Sequence, residues 1–298
     1  MNTETIALNS SIQIGSSEHL TDLFAVADEV PAPSAARQCE VLDISIHEYH
    51  SLTDSVSCSG LKHLLRSPAH FQAYLRGCRD SGDKIGSAFH SAVLEPDVFN
   101  ATYGVSCTAR RGKSYTEFVV QHPDRTILTD AEFSSVKGML KALIQFSDFP
   151  LWKALRASER EKSVIWTDEE TGVKVRVRFD AILAPYAIFD LKSTTDARPE
   201  QFLKQAIRLD YDLQAAIYSE AAYRHTGEKL PFNFVAAETA EPHGIFMLTA
   251  DESMLENGRR KFRRALETYK RCTDTGQWPG YKNAVQPLVW PRYATIGE

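Results

Sequence analysis

From Ser57 onward the apolar positions fall into helical and strand-like blocks separated by turn residues. Ser59-Gly-Leu-Lys-His-Leu-Leu reads as a capped helix. Ser67-Pro68 opens a second one with proline in its first turn, and Phe71, Tyr74 and Leu75 mark its buried stripe. A third helix carries Ile85 to Leu94 and is ended by Pro96. Residues 98 to 128 show no sustained period and predict irregular chain. Thr129-Asp130-Ala131-Glu132 has the capping-box pattern and opens a long amphipathic helix through Phe146. Three strands follow as a meander, Ser163–Thr167, Val173–Leu183 and Ala187–Ser193, with turns at 168–172 and 184–186. After Pro199 the pattern predicts a helix containing Tyr211, Gln214 and Tyr218. Strands at Phe232–Glu238 and Gly244–Thr249 come next, then a last helix from Glu252 to Thr273 with Leu255, Phe262, Leu266 and Tyr269 at helical spacing. The layout is α/β. Residues 1–42 mix small, polar and acidic side chains with Pro31 and Pro33, which predicts a flexible arm with at most one short helix at Leu20–Ala27; residues 43–298 are expected to form a single domain.

Composition narrows the class. With 298 residues, 43% hydrophobic and 24% charged, the chain has the make-up of a soluble globular protein. Neither an apolar run of membrane-spanning length nor a signal-peptide pattern is present, so a cytoplasmic protein with no membrane partner is expected. The five cysteines, Cys39, Cys58, Cys78, Cys107 and Cys272, are scattered and form no CxxC pair. That argues against a disulfide framework, a zinc knuckle or an iron–sulfur cluster. The net charge of −5 does not announce a nucleic-acid binder, but DNA needs only a local basic surface. Local clusters exist at Arg110-Arg111-Gly112-Lys113, on the Lys174/Arg176/Arg178 strand face, and at Arg259–Arg264.

The second and third strands of the meander carry the chemistry. Alternation puts Asp190 and Lys192 on one face while Phe189 and Leu191 point into the core; Asp180 shares the polar face of Arg176 and Arg178. Two carboxylates on neighbouring strands can hold Mg²⁺, which keeps several waters and takes few protein ligands. A lysine beside them can orient a water or neutralise charge on an attacked phosphate. The spacing equally allows a buried Asp–Lys ion pair. His90, alone on a small and apolar helix, fits a hydrogen-bonded core residue as well as a metal ligand. Glu95 lies five residues past it, off the same helical face. Gln214 and Tyr218 are four apart and so share a helix face, against the sheet or lining a cleft. Arg110, Arg111 and Lys113 sit in irregular chain where backbone amides and basic side chains can reach a DNA strand; Arg178 could contact phosphate or pair with an acid. The Arg259–Arg264 run winds around its whole helix and reads as a solvated face.

Taken together and in order, these stretches resemble the PD-(D/E)XK nucleases, in particular the RecB-like branch typified by the C-terminal nuclease of exodeoxyribonuclease VIII (RecE). The resemblance spans about Ile44 to Tyr281. It rests on Ser57-Cys-Ser-Gly-Leu-Lys-His-Leu-Leu-Arg-Ser-Pro-Ala-His-Phe, Gly86-Ser-Ala-Phe-His90 with Leu94-Glu-Pro96, and Trp166-Thr-Asp-Glu-Glu-Thr-Gly172. Arg178-Phe-Asp180, Asp190-Leu-Lys192-Ser-Thr and Tyr211-Asp-Leu-Gln214-Ala-Ala-Ile-Tyr218 complete it. It implies a restriction-endonuclease-like core, a central mixed β-sheet flanked by helices with a helical N-terminal elaboration. Asp180, Asp190 and the carbonyl of Leu191 would be metal ligands, His90 a further ligand and Lys192 the catalytic lysine, with Gln214 and Tyr218 lining the cleft.

The activity implied is a Mg²⁺-dependent exonuclease, with Mn²⁺ able to substitute. It would degrade linear double-stranded DNA from 5′ ends and leave 3′ tails for recombination. Relatives of this kind form toroidal homo-oligomers and work beside a single-strand annealing protein, and DNA ends are the expected partner. Two other readings stay open: another nuclease of the superfamily, of the CRISPR-adaptation type or an endonuclease, and a non-catalytic DNA-end-binding module. Loss of a metal carboxylate or of the lysine would mark the latter, and Asp180, Asp190 and Lys192 are all present.

Overall fold

A computed structural model describes residues 39–77, 83–106, 112–281, 285 and 287–289. The expected N-terminal helix at Leu20–Ala27 lies outside them. In chain order the elements are β1 (Glu40–Leu42), α1 (Ile46–Ser51), β2 (Val56–Ser57), α2 (Cys58–Arg66), α3 (Pro68–Leu75), α4 (Lys84–Leu94), α5 (Pro96–Thr102), β3 (Tyr103–Ser106), α6 (Lys113–Gln121), β4 (Thr126–Thr129) and α7 (Asp130–Ile144). They continue with α8 (Leu151–Ala157), β5 (Glu159–Thr167), β6 (Lys174–Leu183), β7 (Ala187–Thr194), α9 (Pro199–Arg208), α10 (Tyr211–Thr226), β8 (Phe232–Glu238), β9 (Ile245–Thr249) and α11 (Glu252–Thr275).

Side-chain caps set the helix starts. Ser57 Oγ accepts from Gly60 N at the head of α2, and Ser67 Oγ from His70 N at the head of α3. Thr129 and Glu132 close the capping box of α7 in both directions. The meander forms as its alternation predicts, and β5 reaches further back than Ser163, to Glu159.

The strands assemble in the order β1-β5-β6-β7-β8-β9, with the short β2 paired parallel to β6. β5–β6 and β6–β7 are antiparallel and β7–β8 is parallel, so the sheet is mixed. Both faces are covered. Val164, Trp166, Val175, Val177, Phe179, Phe232 and Phe234 pack under α2, α10 and α11. Ala181, Phe189, Leu191, Val235 and Ala237 pack under α4, α7 and α8. Coverage on both sides explains why β8 is buried from Phe232 to Ala237 instead of alternating. The architecture is the helix-flanked mixed sheet expected. No helix among the described residues is long and apolar enough to cross a membrane.

Two stretches depart from expectation. Residues 98–128, expected to be irregular, hold α5, α6 and a separate two-stranded parallel sheet of β3 and β4. Each strand has four residues, too few to show a period, and α6 leaves Val119 and Val120 exposed, so no apolar stripe marks it. The single helix expected after Pro199 is two, α9 and α10, broken at Asp210, whose backbone is left-handed (φ 50°). Aspartate tolerates that conformation better than most residues, and Lys261 of α11 pins it by pairing with both Asp210 and Asp212. Helices α10 and α11 pack so closely there that a Cβ on Gly258 would collide with the Asp212 carbonyl.

Candidate active site

Strands β6 and β7 stay paired only from Leu183↔Ala187 to Ala181↔Phe189 and then splay. Asp180 stands at the fork. Its Oδ2 accepts the Leu191 N–H at 2.8 Å, a side chain taking the place of the next ladder bond. On its other side β6 also loses strict alternation. Phe179 and Ile182 face one core while Ala181 faces the other. Across the ladder from this slip is Glu161 of β5, a non-glycine residue with φ 51°. Such a conformation costs of order 1–3 kcal/mol and is found where function or packing over-determines it. Opening out from the fork is a cavity of about 610 Å³, lined by Asp180, Glu161, Arg178, His90, Lys192 and Tyr218 among others.

On β7, Asp190 is 1% exposed. Its Oδ1 accepts from Gln214 Nε2 at 2.6 Å, and its Oδ2 meets the Lys192 ammonium but accepts no hydrogen bond of ordinary geometry. Burial alone would pull the Lys192 ammonium down, but Asp190 and then Asp180 outweigh it and keep the lysine protonated. Lys192 Nζ also lies 5.1 Å from the centroid of the Tyr211 ring. Gln205 of α9 steadies this corner: it accepts from Thr194 Oγ1 and donates to Tyr211 Oη at 3.2 Å. Tyr218 lines the cavity and sets its ring edge-on to Phe179 and Phe232; burial drives its hydroxyl pKa far up, so it stays protonated and can donate.

His90 reaches the same point from α4. Its Nε2 lies 2.7 Å from Leu191 O and its Nδ1 3.5 Å from Asp180 Oδ2. Burial lowers its pKa, so the ring is neutral. A neutral ring donating from Nε2 to Leu191 O leaves the Nδ1 lone pair facing the Asp180 carboxylate. The spacing Gly86-x-x-x-His90 has a steric cause: a Cβ on Gly86 would collide with Ser193 Oγ, which donates to Asp83 Oδ2 at 2.7 Å. Glu95 lines the cavity too, and no side-chain cap bond is made by it.

Glu161, Gln205 and Asp83 are the residues that sequence reasoning did not single out; Tyr211 and Ser193 stood only within motifs, with no role given to either. Glu161 lies nineteen positions before Asp180 on a strand expected to begin only at Ser163; Tyr211 stands three before Gln214 and was legible as part of that helix start. Burial first, then the charge of Asp180, pushes the Glu161 carboxyl up to about 7, against the downward pull of Arg178. Asp180 is likewise raised to about 7 by burial and by Asp190. Two buried, mutually repelling carboxylates beside a neutral histidine are a cation-deficient arrangement.

Arg178 faces the cavity but is engaged: Nε donates to Glu161 Oε2 at 2.5 Å, and Nη1 to Ile44 O and Ser163 Oγ, both at 2.9 Å. Arg110 and Arg111 lie outside the described residues. Lys113 opens α6, exposed, 3.8 Å from Glu117, and is not in the cavity wall. On α11, Arg259, Arg260, Lys261 and Arg263 all pair with carboxylates; Arg259 and Arg260 are exposed, as a solvated face expects, whereas Lys261 and Arg263 are partly buried and tie α11 to Asp210, Asp212 and Asp168.

Among the described residues no group of three or more His, Cys, Asp or Glu side chains forms a ready-made metal cage. The residues at the fork nevertheless fit a hard divalent ion. Asp180 and Asp190 offer charge, Leu191 a carbonyl oxygen and His90 a lone pair, and Asp190 Oδ2 is met by the Lys192 ammonium without a hydrogen bond of ordinary geometry.

Over residues 57–287 the chain matches the family described as PDDEXK-like domain of unknown function (DUF3799). The chain belongs to this family. It is therefore a PD-(D/E)XK-type protein, and the fork carrying Asp180, Asp190 and Lys192 lies inside the matched segment. In fold it is similar to a crystallised protein from Eubacterium rectale that bears a provisional exonuclease name. The two share 18% identity with a TM-score of 0.55, covering 77% of this chain and 87% of that one. An alkaline exonuclease (LHK-Exo) from Laribacter hongkongensis matches at 9% identity and a TM-score of 0.27, over 64% of this chain and 97% of that one. No curated protein matches the chain.

Proposed function

We propose that this protein is a divalent-metal-dependent DNA exonuclease acting on the ends of linear duplex. The observation that carries the reading is the convergence at one strand fork of Asp180, Asp190 and a Lys192 held protonated between them, with Gln214 fixing Asp190. Mg²⁺ is the ion that the oxygen donors favour, and the His90 nitrogen leaves Mn²⁺ acceptable. Such an ion, once bound, polarises the phosphate and acidifies a water.

The chain's own residues do the rest. Asp180 and Asp190 supply negative charge at the fork and, through Leu191 N–H and Gln214, stay oriented before substrate arrives. Lys192 Nζ, cationic, stabilises charge that develops on the phosphate oxygens. Tyr218 lines the same wall with a hydroxyl that stays protonated and can donate to a substrate oxygen, and Tyr211 backs Lys192 with its ring. Degradation from 5′ ends, leaving 3′ tails for recombination, is the sense we assign. It rests on the motif order shared with the RecE-type nucleases, as do a toroidal homo-oligomer, a single-strand annealing partner and a single catalytic domain from residue 43 to 298.

The test is one time course on linear duplex labelled at either the 5′ or the 3′ end, with closed circular DNA alongside. The proposed reading expects early release of the 5′ label and intact circles. Release of the 3′ label first reverses the polarity; nicked circles make the protein an endonuclease. If Lys192→Ala or Asp190→Ala degrades DNA as fast as the wild type, the site is wrong.

A further inference from the structure

The Lys192 ammonium meets the Asp190 carboxylate and the face of the Tyr211 ring, whose centroid is 5.1 Å away; Asp180 acts on it through charge as well. In the proposed reaction Asp190 has two claimants, this ammonium and the divalent ion that it would help to hold. A lysine stem is flexible, so an ammonium that shares its carboxylate needs another contact to stay beside the phosphate. A ring face within about 6 Å of an ammonium attracts it, most strongly where water is excluded. Tyr211 lines the cavity and is only 6% exposed, so its ring works in such a place.

The ring is itself fixed. It stacks on Phe234 with centroids 5.4 Å apart and tilts against Phe202 at 5.8 Å. Its Oη accepts from Gln205 Nε2 at 3.2 Å, and Gln205 Oε1 accepts from Thr194 Oγ1 at 2.9 Å. Thr194 ends β7, two residues past Lys192, so Gln205 of α9 ties the ring to the strand that carries the lysine. Packing against Phe234 and Phe202 would be served by a phenylalanine; the hydroxyl adds the tie to β7. Lys62 Nζ also lies 5.1 Å from the ring centroid, and Asp190 and Asp210 are the carboxylates whose charge reaches it.

We propose that Tyr211 is a positioning residue for Lys192: its ring, locked by Gln205, keeps the ammonium beside the phosphate while Asp190 serves the metal ion. The assignment rests on the nuclease reading and deepens it; Tyr211 does no chemistry of its own.

The experiment replaces Tyr211 by phenylalanine and by mono-, di- and trifluorinated phenylalanines, which keep the ring's shape and progressively weaken its negative face. Tyr211→Leu and Gln205→Leu accompany the series. Degradation of linear duplex with Mg²⁺ gives kcat and KM, and thermal melts report folding. Lysine-methylene NMR of the metal-free protein, with the Lys192 signal assigned by its loss in Lys192→Met, reports the ring current at the ammonium end. Tyr211→Phe, which lacks the tie to Gln205, is expected to lower kcat about 3-fold, and Gln205→Leu to match it. Fluorination should lower kcat stepwise to roughly 10-fold below wild type, with KM within about 3-fold. Tyr211→Leu should lose at least as much and abolish the ring-current shift of Lys192. A flat kcat across fluorinated proteins that melt like Tyr211→Phe, or a ring-current shift on Lys62 alone, makes the ring a core side chain and overturns the proposal. A loss confined to KM makes it a substrate contact and overturns the proposal too. Wild-type protein whose Lys192 is ring-shifted but which cuts nothing would sink the nuclease reading and leave the ring–ammonium contact standing. An unshifted Lys192 in protein that cuts normally does the reverse.

Discussion

The two ends of the β5–β6–β7 meander use the same residue types to opposite effect. At the outer end, the turn at 168–172, each of the acids Asp168, Glu169 and Glu170 meets a cation. Asp168 is buried yet held below the usual carboxylate range, because Arg263 and Thr171 outweigh its desolvation. Glu169 takes both arms of Arg224 at 2.8 and 3.0 Å and is lowered as well. At the inner end, the fork, Asp180 and Glu161 are pushed up to about 7 chiefly by burial, Asp190 is almost fully buried against Lys192, and Glu161 holds a left-handed backbone. Charge near solvent at one end fastens the fold; desolvated charge at the other is tolerated only because the rest of the sheet holds it in place. Neither a count of acidic residues nor the number of cations separates the two ends, whereas the depth at which the carboxylates are buried does.

Mutation can break that contrast. The largest effect belongs to Asp180→Asn, which keeps an oxygen for Leu191 N–H and removes one of two repelling charges. DNA degradation should fall by at least ~10³-fold while the melting temperature holds or rises. Equal activity in the variant would make Asp180 a strand clamp only. Next comes Glu161→Gln, expected to lower the rate by roughly 10–100-fold, as loss of an outer partner of a metal site does. Its control is Arg178→Met, which frees Glu161 from its partner and should also reduce the rate; if neither variant slows the reaction, Glu161 belongs to the fold and not to the chemistry.

At the outer end the sign reverses. Arg263→Met leaves Asp168 buried with Thr171 alone and should cost about 1–3 kcal/mol in urea unfolding with degradation rates unchanged. A drop in activity there would mean that the two ends are coupled. The smallest effect is acid lability. Glu159 is held at about 2 mainly by its hydrogen bond to His225, against burial and with help from Lys162. Because its folded pKa lies below the unfolded value of 4.5, its contribution is complete above that value and is lost as pH falls toward about 2. The group is half-exposed, so solvent screening limits the loss to under ~1 kcal/mol. Melts of wild type and Glu159→Gln should converge as pH falls through that window and differ slightly above it.

Much of this was legible in order along the chain. The alternation around Asp190 and Lys192 gave their common face, the capping box at Thr129 gave the start of α7, and the four-residue spacing of Gln214 and Tyr218 placed both on the face of α10 that meets the fork. Glu161 was not legible, because its role depends on a pleat slip in which two strands change face together, and no one-dimensional period encodes it. Arg178 had open alternatives, and which one holds was decided by a carboxylate seventeen residues away.

By itself the sequence determined the meander, the two strands after it and the long helices around them, and the motif order that places this chain in a PD-(D/E)XK family, because those depend on local periodicity and on residue identity. Tertiary structure alone decided which charges are desolvated and which cation each one meets. That outcome depends on where β6 and β7 part, on which cations of α10 and α11 reach the outer turn, and on how far water is kept from the fork. Each of these is a property of segments brought together from distant parts of the chain.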